Sequence, residues 1–177
     1  MGRALVGGIL AAAALTVAPA GPASASAPRA HEAAAACKAS QLQVWLGDGE
    51  GGGTAGHTYY PLEFSNISHS SCSLYGYPGV SAMSSNGHQI AGGAGRNSTP
   101  HGTVTLAAGA TAHAIFSIAD WGAICSTAVN AAGLRVYPPG LTRSWTIEFP
   151  FQACASTSVL NVGPVRAGVG VPGYTTS

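Results

Sequence analysis

Apolar and polar residues alternate with a period of two along most of the chain. Leu42, Val44 and Leu46 alternate with Gln43 and Trp45, and Tyr60, Leu62 and Phe64 alternate with Tyr59, Pro61 and Glu63. Val104 and Leu106 follow the same rule. So do Ala112, Ala114, Phe116 and Ile118, as well as Leu134 and Val136. Trp145, Ile147 and Phe149, then Leu160 and Val162, complete the series. Successive strand side chains point to opposite faces, so this pattern predicts half-buried β-strands. The polar partners Glu63, Arg135 and Glu148 are expected to face outward and solubilise the sheets.

Turn residues punctuate the strands. Tyr77-Pro78-Gly79 suits a type II turn, with Pro setting φ and Gly79 taking positive φ. Ser85-Asn86-Gly87 reads as a hairpin tip. Ala107-Ala108-Gly109 and Pro138-Pro139-Gly140 each end a strand. The connections are too short for crossover helices, so the expected fold is an all-β, antiparallel β-sandwich. The alanine-rich run from Cys125 to Ala132 is read as a helix or a loop.

The first residues carry a different signal. Arg3 precedes an apolar run from Ala4 to Ala18, followed by Pro19 and small residues. That order is a secretory signal peptide, and the run is short for a membrane span. Residues 1–25 are assigned to the signal. Cleavage is expected after Ala25, with Ala27 as the other option. Residues 26–36 form a flexible Ala/Pro/Ser leader, 37–165 the sandwich domain and 166–177 a tail. The expected destination is extracellular, with no membrane insertion once the signal is removed.

Export changes the reading of the four cysteines, Cys37, Cys72, Cys125 and Cys154. An even count in an oxidising compartment reads as disulfides. Of the possible pairings we expect the sequential one, Cys37–Cys72 and Cys125–Cys154.

Charge and composition narrow the chemistry. The 177 residues carry 7 basic and 6 acidic side chains, 7% charged in all, against about 25% in an ordinary soluble domain. Such a chain has no electrostatic footprint for nucleic acid. Gly47, Gly49 and Gly52 match G-x-G-x-x-G, but no helix follows to receive a pyrophosphate, and Asp48 and Glu50 would repel it. A hairpin-like loop is expected there. His31-Glu32 begins a zincin motif, yet Ala35 occupies the second histidine position. The six histidines form no H-x-H or H-x-x-x-H pair, and two carboxylates do not fill a calcium shell. No G-x-S-x-G elbow is present. Asp120 reads as a strand-end turn residue. Asn66-Ile67-Ser68 and Asn97-Ser98-Thr99 have the form of glycosylation sequons but read more simply as turns. No metal, cofactor or catalytic residue is therefore expected.

The most distinctive stretch runs from Cys72 to Val80. Tyr75 and Tyr77 with Pro78 offer a possible aromatic binding surface; the structural alternative is a disulfide-anchored corner whose tyrosines pack on the sheet. This segment, with Gly56-His57-Thr58-Tyr59-Tyr60-Pro61-Leu62-Glu63-Phe64, Leu106-Ala107-Ala108-Gly109 and Leu134-Arg135-Val136-Tyr137-Pro138-Pro139, resembles a secreted actinobacterial family. That family is the domain of unknown function numbered four-two-three-two. The resemblance covers about residues 37 to 165 and implies export, an immunoglobulin-like sandwich and disulfides. It supplies no established activity and no catalytic residues. The expected function is that of a non-enzymatic secreted protein binding an extracellular protein or a cell-envelope ligand. The alternative is an inhibitor of a secreted hydrolase that presents the segment Ser73 to Val80.

Overall fold

Thirteen short strands build two facing sheets and a ribbon in the computed structural model, which describes residues 1–2, 33–47, 51–54 and 56–170. The expected signal peptide, most of the leader and the last residues of the tail lie outside the described residues. The larger sheet runs β1 (Leu42–Leu46), β3 (His57–Asn66), β9 (Thr111–Ala119), β12 (Leu160–Val162) and β7 (Gly95–Arg96). Two further strands extend it: β2 (Gly51–Thr54) pairs with β3, and β13 (Arg166–Ala167) pairs with β9. The second sheet runs β11 (Trp145–Cys154), β10 (Ala128–Tyr137), β5 (Gly79–Met83) and β6 (Gln89–Ile90). The ribbon joins β4 (Cys72–Tyr75) to β8 (Thr103–Leu106). Among the described residues every strand pairing is antiparallel except β12 with β7.

The predicted alternation builds the core. Leu62 and Phe64 of β3 and Ala114 and Phe116 of β9 meet Val80, Ala82, Leu134 and Val136 from the second sheet. The ribbon adds Leu74 and Leu106. Burying each of the larger side chains contributes about 2 kcal/mol. Across the gap, Tyr60 of β3 meets Phe149 of β11 edge to face at 5.0 Å.

Pro61 sits within β3, where a proline would ordinarily cost a ladder bond. Its carbonyl accepts from Gly47 N–H at 2.8 Å, on the β1 side. In an antiparallel strand a residue's N and O point the same way. The missing N–H therefore falls beyond the end of β1 and takes nothing from the β3–β9 ladder.

Several expectations are corrected. The run from Cys125 to Ala132 is no helix: among the described residues the α-helix is the single turn α1 (Trp121–Ile124), and Ala128 onward is strand. Pairing with β11 overrides alanine's helix preference, with Ala128 opposite Cys154 and Ala131 opposite Phe151. A bulge between Ala131 and Gly133 then shifts the register. A Cβ on Gly133 would collide with the Ile147 carbonyl, so this close approach needs glycine. The positive φ of the tyrosine corner belongs to Gly76, at 95°, and not to Gly79, which opens β5. The turn therefore precedes Tyr77-Pro78.

Both disulfides join neighbours in the cysteine order, Cys37–Cys72 and Cys125–Cys154. The first ties down the end of the expected flexible leader. Ala36 bridges to Ser73, and Ser73 N–H and Oγ–H donate to Ala35 O and Ala34 O at 2.8 and 2.9 Å. At the other end the fold runs past residue 165. Arg166 and Ala167 pair with His113 and Ala112, so the start of the expected tail is a strand.

Candidate binding surfaces

Tyr75, Tyr77 and Pro78 share one corner but play different parts. Tyr75 ends β4 and is 61% exposed, whereas Pro78 is buried and Tyr77 half-buried. The Tyr77 hydroxyl donates into a pair of carbonyls, Asn97 O at 2.6 Å and Thr99 O at 2.7 Å. His101 stands between the two rings, 5.0 Å from Tyr75 and 5.1 Å from Tyr77. The Arg96 guanidinium lies 5.6 Å from the Tyr77 ring centroid. Tyr77 thus fastens the segment 96–101 to the corner, and Tyr75 with His101 is what the corner presents outward. His101 and Arg96 were invisible as members of this cluster, because they reach it from a distant part of the chain.

A second feature lies where β3 starts and β9 ends, beside the last residues of β11. A cleft of about 670 Å³ opens there between the two sheets. Tyr60 comes from β3, Trp121 from α1, and Phe149 and Phe151 from β11. All four rings are half-buried. Asp120 and Gln152 supply polar groups at the rim.

Local structure explains how Trp121 is held. Asp120 N–H donates to Gly56 O at 2.8 Å, docking the end of β9 against the start of β3. Its carboxylate Oδ1 accepts from Gly122 N at 3.0 Å, capping α1. An N-cap carboxylate satisfies a helix-start amide that would otherwise lack a partner. Cys125 N–H donates to Trp121 O at 2.8 Å, and Cys125 is bonded to Cys154 at the end of β11. The second disulfide therefore fixes the indole of one wall relative to the phenyl rings of the other.

Glu63 and His113 face each other across β3 and β9, but the other charged residues do not join them. Asp120 and His113 lie at opposite ends of β9, about 23 Å apart at strand spacing. Glu148 is exposed on the outer face of the second sheet, while Glu63 sits on the outer face of the first. The two carboxylates occupy opposite sides of the sandwich. Among the described residues no group of three or more His, Cys, Asp or Glu side chains is placed to hold a metal ion.

Glu63 itself is a correction. It was expected to solubilise the sheet, yet it is only 1% exposed. After β13 the chain crosses the outer face of β9. Gly168 O lies 2.9 Å from His113 Nδ1, and Gly170 N–H donates to Glu63 Oε1 at 2.7 Å. Gly47 closes the other side; a Cβ on Gly47 or Gly170 would press on Pro61 and approach the carboxylate. Among the described residues Oε2 is buried with no hydrogen-bond partner.

Burial pushes the Glu63 carboxyl above its ordinary value of 4.5, against smaller opposing pulls from the Gly170 N–H and from His113. The folded protein therefore holds this proton to higher pH than the unfolded chain does. Its contribution to stability is greatest below pH 4.5 and declines as pH rises through the raised value. Glu63→Gln keeps an acceptor for Gly170 and removes the charge. We expect the variant to gain on the wild type by on the order of 1 kcal/mol between acidic and neutral pH. Urea denaturation across that range checks this, and a stability difference independent of pH would contradict it.

The fold and the two bridges define the class: a disulfide-stapled, all-β sandwich with an aromatic cleft at one end of its sheets. Residues 37–166 match the model of the family described as Domain of unknown function (DUF4232), and the chain belongs to that family. No curated protein and no solved structure matches it.

Proposed function

We propose that this chain is an exported, non-enzymatic, immunoglobulin-like module that binds an extracellular ligand, with the cell envelope favoured over a free protein. Two disulfides are consistent with an oxidising compartment. Among the described residues no helix is long and apolar enough to cross a membrane. The observation that carries the reading is the aromatic cleft. Its volume of about 670 Å³ falls within the range of small-ligand sites, and four aromatic rings line it beside polar groups from Asp120 and Gln152. A protein partner would more often be met by a broad, flat surface.

The inhibitor reading rests on the tyrosine corner. Tyr75 is exposed there, but Tyr77, Pro78 and Val80 turn inward and leave little of Ser73 to Val80 to enter an enzyme. This arrangement supports the cleft more than the corner.

Co-sedimentation of the mature protein with purified cell envelope tests the proposal. We expect retention that falls about tenfold in Phe151→Ala, a loss of about 1.4 kcal/mol, and stays unchanged in Tyr75→Ala. Loss in Tyr75→Ala alone would move the binding site to the corner, and capture of a secreted hydrolase at equal stoichiometry would favour inhibition. No retention would overturn the reading.

A further inference from the structure

We propose that the cleft between β3, α1 and β11 is a subsite for a short stretch of neutral saccharide. This deepens the binding reading above and rests on it. The ligand class follows from which side chains line the cleft and from how open it is.

Charge narrows the class first. Among the described residues no lysine or arginine lines the cleft; His57 is the one basic side chain there and Asp120 the one carboxylate. A phosphate, a nucleotide or an acidic polymer would find no counter-charge beyond the His57 imidazole and would meet a like charge at Asp120. The ring faces narrow it further. Tyr60, Trp121, Phe149 and Phe151 give planar surfaces whose faces carry negative charge density and attract polarised C–H groups. The axial C–H face of a pyranose supplies such groups, and its hydroxyls need acceptors and donors at the edge.

The rim provides them. Asp120 commits Oδ1 to Gly122 N–H and keeps its second oxygen for a hydroxyl. Gln152 donates Nε2–H to Asn130 Oδ1 at 2.6 Å, which orients its amide and leaves Oε1 as an acceptor. Both groups are held by their partners before any ligand arrives, so little side-chain freedom is lost on binding. A quaternary ammonium would also suit rings beside a carboxylate, but it favours an enclosing cage. This cleft is open to solvent rather than enclosed.

Titration of the disulfide-intact mature protein, followed by amide and indole NMR shifts, tests the assignment. The probes are tri-N-acetylglucosamine, cellotriose and maltotriose, with choline and inorganic phosphate as the competing classes. We expect saturable shifts for at least one trisaccharide, centred on the Trp121 indole and the Gln152 amide. Trp121→Ala is expected to weaken binding at least about tenfold. Gln152→Ala, an exposed change that leaves the core untouched, is expected to weaken it several-fold, and Tyr75→Ala to leave it unaltered. Saturation by choline or phosphate without any sugar would overturn the proposal, as would sugar shifts that persist in both cleft variants. If envelope retention holds while all three sugars fail, the saccharide assignment falls and the binding reading stands. If retention also fails, both fall.

Discussion

Asn66→Ala is expected to lower the unfolding free energy by about 3 kcal/mol, more than its place at a strand end suggests. The side chain is fully buried at the last position of β3. Its Nδ2 donates to Ser70 O at 2.9 Å, Ala107 O at 3.0 Å and Leu106 O at 3.1 Å. Its Oδ1 accepts from Ser68 N and Ser68 Oγ at 3.0 and 2.8 Å. One amide thus holds the loop after β3 against the turn between β8 and β9. Gly109 N–H and Asn66 N–H add two backbone bonds across the same contact. Alanine removes the donor from a buried carbonyl, Leu106 O, and from two partly buried ones, Ser70 O and Ala107 O. Each buried polar group left unsatisfied costs about 1–3 kcal/mol, while each satisfied bond is worth about 1. Denaturation in urea measures the loss; a change below about 1 kcal/mol would mean that water replaces the amide. The same burial bears on the glycosylation sequon at this position, since the nitrogen a glycan would modify is engaged inside the fold.

The second large effect belongs to the first bridge. Cys37→Ala with Cys72→Ala is expected to cost about 4 kcal/mol. The two cysteines are 35 residues apart, and closing a loop of that length removes about this much free energy from the unfolded chain in the chain-entropy treatment. Both sulfurs also lie in the core, with Cys37 4% and Cys72 1% exposed. Alanine at both sites avoids free thiols. The paired removal of Cys125 and Cys154, 29 residues apart, is expected to be similarly costly and also to release Trp121 from its fixed position opposite β11. Equilibrium unfolding of the two double variants separates these effects. A Cys37/Cys72 variant within about 1 kcal/mol of the wild type would show that the denatured chain is already compact.

How much of this was legible depends on the distance over which each feature is determined. The strands at Leu42–Leu46, His57–Asn66 and Thr111–Ala119 could be read locally, because every second residue enters the core. The alanine run before Gly133 misled because alanine lacks a strong face, and its conformation was decided by β11 across the hairpin. Glu63 obeyed the alternation and still ended up buried. Its cover comes from Gly170, 107 residues away, and nothing near Glu63 announces it. The corner was legible as a corner, but its positive-φ residue was assigned to the glycine after Pro78 when the chain turns at Gly76. The cleft could not be read at all. Its rings come from three separate segments, each of which alone looks like ordinary core packing.

The arrangement of the bridges also sets where mechanical tension would travel. A pull on the polypeptide from its beginning passes from Cys37 straight across sulfur to Cys72, sparing β1, β2 and β3. It then crosses from Cys125 to Cys154, sparing β10 and all of β11 up to its terminal cysteine. Two strands that wall the cleft, β3 and β11, are thereby shielded from load, which falls on the stretch from β4 to α1 and on the final strands.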